Sequence, residues 1–145
     1  MMNRRKLNVR ETRRVLKDIP FNKLLGMRVW RIHRDGITIE SRIAKRLMNS
    51  AGVLHGGVCA SLADAAVGIA LHRHLGDHHR ITTVEMKINY FRPVKDGRVF
   101  ARSHLLRVGS TLCVGRVDLF DARARAVATA LVTYMILGSS QNTSS

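Results

Sequence analysis

Aromatic side chains are scarce in this chain: four Phe, two Tyr and one Trp among 145 residues. Any core must therefore be mainly aliphatic and rich in alanine. Acids are also few, ten against 25 Lys and Arg, which leaves a formal charge of +15. Such a surface attracts polyanions (nucleic acid, anionic membrane or a phosphorylated ligand), and charge alone does not choose among them. Cysteine is limited to Cys59 and Cys113, far apart in sequence. A domain of this size needs no covalent staple, so both are expected as reduced thiols in a reducing compartment, the cytoplasm. No run of about 18 apolar residues occurs, so no helical membrane span is expected. The basic N-terminus lacks the apolar core of a secretory signal, and Glu11 and Asp18 argue against a mitochondrial presequence.

What is present is an ordinary globular balance, 46% apolar and 24% charged, at a length that suits one domain. Residues 1–19 form a basic extension in which Val9, Val15, Leu16 and Ile19 permit a short amphipathic helix, stopped by Pro20. Residues 27–33 and 37–43 alternate apolar and polar side chains around an Arg34-Asp35-Gly36 turn, which predicts a hairpin. Residues 44–54 form a loop. From Gly56 to Leu75 the chain is apolar nearly all round, the mark of a buried helix. Strand-like patterns return over 80–91, 97–108, 110–120 and 125–137, and residues 138–145 are expected to be a disordered tail. One buried helix beside one antiparallel sheet implies an α+β fold, a curved sheet wrapped around the helix over residues 20–137.

Three features meet on that helix. His55-Gly56-Gly57 opens it, Asp64 interrupts its apolar run, and Asn49 lies just upstream. The first turn of a helix has N–H groups without internal partners, and the helix dipole adds partial positive charge. Glycines let a ligand oxygen approach, so a carbonyl can be polarised there. One such donor is worth about 2.7–4 kcal/mol of transition-state stabilisation. Taken alone, Gly-Gly equally serves as a tight loop-to-helix turn, and Asp64 equally serves as a structural carboxylate. Their spacing says more. Eight residues put Gly56 and Asp64 about 12 Å apart on one helix, too far to act on one carbonyl. If both act on one substrate, they come from different subunits related by a two-fold axis.

The run His55-Gly-Gly-x-x-x-x-Leu62-Ala63-Asp64, with Asn49 six residues before it, resembles the signature of the hotdog-fold acyl-CoA thioesterases of the phenylacetate-pathway (PaaI-like) type. Residues 83–93 and 20–26 are also similar, and the resemblance covers about residues 20–137. It implies hydrolysis of an acyl-CoA thioester, the Gly56 amide polarising the carbonyl. Asp64 of the opposite subunit would act as nucleophile or as general base. Asn49 would position water or the thioester, His55 and Gly57 would shape the turn, and Thr83 would sit near the attacking water. The active site would need a homodimer, expected as half of a homotetramer. No cofactor is expected, coenzyme A being part of the substrate, and no metal.

For the nucleotide phosphates the candidates are Arg92, Lys95, Arg98, Arg107 and Arg116, with Arg92 and Arg107 favoured because each sits at a strand end. The Gly109-Ser110 turn and Val84 complete the expected substrate contacts. Val67, Ala70 and Leu71 are candidates for the floor of the acyl pocket. Cys59 lies in the first helical turn, where a thiolate is favoured, and is an alternative nucleophile, although buried cysteine usually serves packing. His72, His74, His78 and His79 cluster around Gly76, without the carboxylate spacing of a known metal motif. Two other functions compete. One is a non-catalytic acyl-CoA sensor whose basic extension binds nucleic acid, although a single short helix is too little for a helix-turn-helix. The other is an acyl-CoA hydratase of the same fold.

Overall fold

The computed structural model describes residues 5–76 and 79–139. Its helices are α1 (Val9–Asp18), α2 (Pro20–Leu24) and α3 (Gly56–Leu75). The strands are β1 (Arg28–Ile32), β2 (Ile37–Arg42), β3 (His79–Tyr90), β4 (Arg98–Val108), β5 (Leu112–Asp121) and β6 (Ala126–Ser139). The six strands form one antiparallel sheet in the order β1-β2-β4-β5-β6-β3. Helix α3 touches β2, β3, β4, β5 and β6. Five flat strands would spread over about 19 Å, wider than the roughly 10–12 Å of a helix. The sheet must therefore curl around α3. Small residues make this possible: a Cβ on Gly115 of β5 would lie 2.7 Å from Val67 Cγ2 of α3.

The core is aliphatic, as the shortage of aromatics requires. Leu62, Ala63, Ala66, Val67 and Leu71 of α3 are fully buried against Ile37, Ile39, Val99, Val117 and Val132 of the sheet. Val67, Ala70 and Leu71, the candidates for the acyl-pocket floor, lie inside the core of the subunit (Ala70 is 3% exposed).

Pro20 does not only end a helix. It also begins α2, occupying the first-turn position where its missing N–H costs nothing. Helix α1 carries a capping box formed by Asn8 and Glu11. It packs on α3 and β1 through Leu16 and Thr12, and the Leu7 N–H bonds the Arg73 carbonyl at 3.0 Å. Gly138 and Ser139, expected in the tail, continue β6 and pair with Arg80 and His79. The remainder of the expected tail, 140–145, lies outside the described residues. None of the described helices is long and apolar enough to cross a membrane.

Candidate active site

The four backbone N–H groups at the tip of α3 have no partner within the helix, and three are taken up locally. The His55 N–H bonds the Leu47 carbonyl at 2.9 Å, and the Val58 N–H bonds the His55 carbonyl at 2.9 Å. The Gly57 N–H donates to His55 Nδ1 at 2.8 Å. Among the described residues, the Gly56 N–H alone of the four has no acceptor. A ring nitrogen that accepts is unprotonated, so His55 carries its proton on Nε2 in this arrangement. His55 is thus a cap, and Gly57 serves that cap: a Cβ there would lie 2.8 Å from His55 Nδ1.

Asn49 closes the preceding loop. Its Oδ1 accepts from the Ala51 N–H at 2.9 Å and the Val53 N–H at 3.3 Å. The loop end is pinned by a Met48–Leu54 bridge. A second residue, not anticipated from the sequence, fixes the tip from β3: the Tyr90 hydroxyl donates to the Gly56 carbonyl at 2.6 Å. Gly56 must be small here too, since a Cβ would stand 3.2 Å from that phenol. Gly56, Cys59, Tyr90, Phe91 and Pro93 line a cleft of about 340 Å³.

Two turns along α3, Asp64 is half-buried. Its Oδ1 accepts from Thr83 Oγ1 at 2.7 Å, and the Tyr134 hydroxyl reaches Oδ1 and the Asp64 carbonyl oxygen at 2.9 Å. No donor among the described residues reaches Oδ2, which leaves one carboxylate oxygen for chemistry. Burial, reinforced by the Asp64 charge, pushes the Tyr134 phenol far above its ordinary range, so it remains a donor. Tyr134 is the second residue missed. Its signal was Gly68, one turn beyond Asp64, where a Cβ would come within 2.6 Å of the phenol oxygen. Thr83 pairs with Tyr134 in the β3–β6 ladder, and the next residue, Val84, is bulged out and 48% exposed.

Within one chain the open Gly56 amide and the Asp64 carboxylate stand at different ends of the sheet. Tyr90, beside Gly56, pairs with Ala128, and Thr83, beside Asp64, pairs with Tyr134. Cys59 is 3% exposed, and burial pushes its thiol up to about 11. This favours the packing role of Cys59 over the alternative of a thiolate nucleophile. Cys113 is buried as well, and both cysteines are free.

The cation candidates separate in the same way. Arg98 is committed to Glu40 at 3.0 Å and Arg116 to Asp118 at 3.5 Å. Arg92 and Lys95 line a cleft of about 360 Å³ together with Arg123, Asp96 and the Arg125–Asp121 ion pair at 2.8 Å. This cleft shares Arg92, Pro93 and Val94 with the Gly56 cleft, so the two adjoin. Arg107 is exposed at the other end of the sheet, beside a bulge in β4 and the Gly109-Ser110 turn. That turn closes with a Gly109 N–H bond to the Leu112 carbonyl at 2.9 Å. Of the histidine cluster, His78 lies outside the described residues. Burial lowers His74, helped by Lys6 and Arg73. Among the described residues, no three side chains of metal-binding type converge.

The fold has known counterparts. A family model described as the thioesterase superfamily matches residues 51–128. The medium/long-chain acyl-CoA thioesterase YigI of Escherichia coli K12 is 29% identical, over 81% of this chain and 86% of its own. A thioesterase from Haemophilus influenzae superposes with a TM-score of 0.85 at 22% identity, covering 95% of this chain and 96% of its own. The E. coli PaaI protein superposes with a TM-score of 0.79 at 18% identity, covering 87% and 90%. The family match begins at the loop that leads into α3 and ends inside β6, spanning both the open amide and the paired carboxylate. This chain belongs to the thioesterase superfamily, with the hotdog fold.

Proposed function

We propose that the chain hydrolyses an acyl-CoA thioester at a site shared between two subunits, probed best with medium and long acyl chains as for the E. coli relative. The observation that carries this reading is the division of labour on α3. Gly56 offers the one open amide at the tip, and Asp64 offers one open oxygen about 12 Å away. The thioester oxygen is held by the Gly56 N–H of one subunit. Asp64 of its partner, oriented by Thr83 and Tyr134, attacks the carbonyl or takes a proton from the attacking water. The thiolate of coenzyme A leaves as the tetrahedral intermediate collapses and takes up the proton that Asp64 received from water; where Asp64 itself attacks, water then hydrolyses the mixed anhydride, frees the acid and restores the carboxylate.

Strand β3 supports the pairing. It is a sheet edge of 12 residues, and an uncovered edge of that length invites another strand. Residues 82–85 along it are exposed, and Tyr90 and Phe91 at its end are 51% and 59% exposed. A copy added across this edge by a two-fold axis runs antiparallel, so the Gly56 end of one chain meets the Asp64 end of the other. The same operation brings Arg92 of one chain towards Arg107 and the Gly109-Ser110 turn of its partner, a shared cradle for nucleotide phosphates. The reduced thiols suit a cytoplasmic enzyme.

The direct test is thiol release from a panel of acyl-CoA esters differing in chain length and aromaticity. Asp64→Ala should lower turnover by roughly 10²–10⁴-fold while the protein stays folded and dimeric. Full turnover by a folded Asp64→Ala protein would sink the assignment. Change at the acyl double bond without thiol release would transfer the site to hydratase chemistry. Sedimentation of the intact protein distinguishes a dimer from a tetramer.

A further inference from the structure

A run of positive charge near the start of the chain lies where the proposed site makes no use of it. Residues 5–31 hold nine Lys and Arg against only Glu11 and Asp18. Glu11 is already engaged by Arg5 at 2.6 Å. On α1, Thr12 and Leu16 face the body, which turns Arg10, Arg13, Arg14 and Lys17 outward, all of them exposed. Apolar side chains stand in solvent beside these cations: Ile19 is 36% exposed, Phe21 54% and Leu24 64%. Their orientation is built in. Asn22 is buried and donates to the Leu16 carbonyl at 3.3 Å, so α2 presents Phe21 and Leu24 outward.

Between this ledge and β1 runs a groove of about 670 Å³. Its floor is apolar (Leu16, Met27, Val29 and Trp30), and Arg13, Lys17, Lys23 and Arg28 rim it. The acid that lines it, Glu40, is neutralised by Arg28 at 2.6 Å and Arg98 at 3.0 Å. Apolar groups at the same level as a belt of cations match the boundary between lipid headgroups and acyl chains. Basic side chains are drawn to an anionic leaflet. A nucleic-acid duplex would meet the cations but would leave Phe21 and Leu24 in water.

We infer that the face formed by α1, α2 and β1 docks on an anionic lipid bilayer, with Ile19, Phe21 and Leu24 entering the acyl boundary and the flanking cations meeting phosphate headgroups. This holds whether or not the proposed substrate is correct, because the face lies apart from Gly56 and Asp64.

The test is flotation of the full-length protein with phosphatidylcholine vesicles, alone or mixed with phosphatidylglycerol. The mixed vesicles should capture the protein and the neutral ones should not. Capture should weaken with salt, and emission from the single Trp30 should shift to shorter wavelength. Replacing Arg13, Lys17 and Lys23 by Gln should weaken capture by about a hundredfold, near fivefold for each cation. Phe21→Ser with Leu24→Ser should weaken it by about tenfold or more. All these side chains are exposed, so circular dichroism and the melting temperature should stay close to those of the parent. Equal capture by neutral vesicles, no capture at low salt, or undiminished capture of the Phe21→Ser/Leu24→Ser protein would each overturn the inference. Duplex DNA that displaces the vesicles, and binds that double variant as well as the parent, would reassign the face to nucleic acid.

Discussion

Asp64 keeps one oxygen engaged and the other open because two hydroxyls converge on Oδ1 from β3 and β6. Tyr134→Phe deletes one of them while keeping the ring in the core. A lost hydrogen bond to a charged group is worth about 1.5–3 kcal/mol, so kcat should fall by about tenfold or more with KM little changed; an unaltered kcat would show that Thr83 alone orients Asp64. Cys59 makes the opposite case. With its thiol pushed up to about 11, it stays protonated at neutral pH. Neither it nor buried Cys113 should react with a thiol reagent in the native state near neutral pH, whereas both should react in denaturant. Cys59→Ala should retain turnover, and its loss would revive a covalent thioester. Much of this site was visible in the sequence: an acid inside an apolar helix draws notice, and so does Gly-Gly at the helix start. Tyr134 and Tyr90 were not visible. Each sits in an alternating strand where a tyrosine passes for packing, and its partner is 70 or 34 residues away. The role of Asn49 came from the resemblance alone, and its local bonds show a loop-closing side chain that no periodicity announces.

Helix α3 was legible nearly to the residue, because it is apolar on all sides and bounded by His55-Gly56 and Gly76. Its interior glycine was not understood. Gly68 leaves space for the Tyr134 hydroxyl, so Gly68→Ala should force that hydroxyl away from Asp64. Better helix propensity returns about 1 kcal/mol, against about 1–3 kcal/mol for overpacking. We expect a lower melting temperature and lower turnover. Adding Tyr134→Phe removes the clashing oxygen but leaves a ring carbon at 3.1 Å, and should recover part of the stability but not the activity, a separation visible in paired melts and assays. Element ends were harder to foresee. Pro20 both ends one helix and begins another, and Gly138-Ser139 belongs to β6 only because β3 offers it a partner. The β1–β2 turn is tied to β4 through Asp35, which accepts from Arg102 at 2.7 Å and His104 at 2.9 Å. The Arg102 bond above all, with help from His104, holds the Asp35 carboxyl down at about 2, against an ordinary 3.8. A lowered carboxylate stabilises the fold above its unfolded value, and that contribution is lost as pH falls through the folded one. Asp35→Asn should therefore unfold in less denaturant than the parent near neutral pH. The gap should close as the pH approaches about 2; a gap independent of pH would mean that shape, not charge, holds the turn.

At the scale of the molecule, the sheet order was beyond the sequence, since alternation says that strands exist but not which neighbours they choose. Spacing alone said only that Gly56 and Asp64, if they act on one carbonyl, come from different subunits. Mixing Asp64→Ala subunits with subunits carrying Gly56→Val, whose side chain would collide with Tyr90, gives dimers in which one site holds both lesions and the other holds neither. Each mixed dimer should regain one working site of two, about a quarter of all sites after random equimolar exchange, and no recovery despite verified exchange would rule out sharing. Another consequence comes from the helix tip. Cradling a phosphate takes several amides aimed at one point, and His55 and its neighbours have already occupied all but one. The tip can grip a single oxygen and little more, so the polyanionic end of a substrate must be held by guanidinium and ammonium groups instead. Ionic strength should therefore act on one half of recognition only: raising salt should lift KM while kcat barely moves.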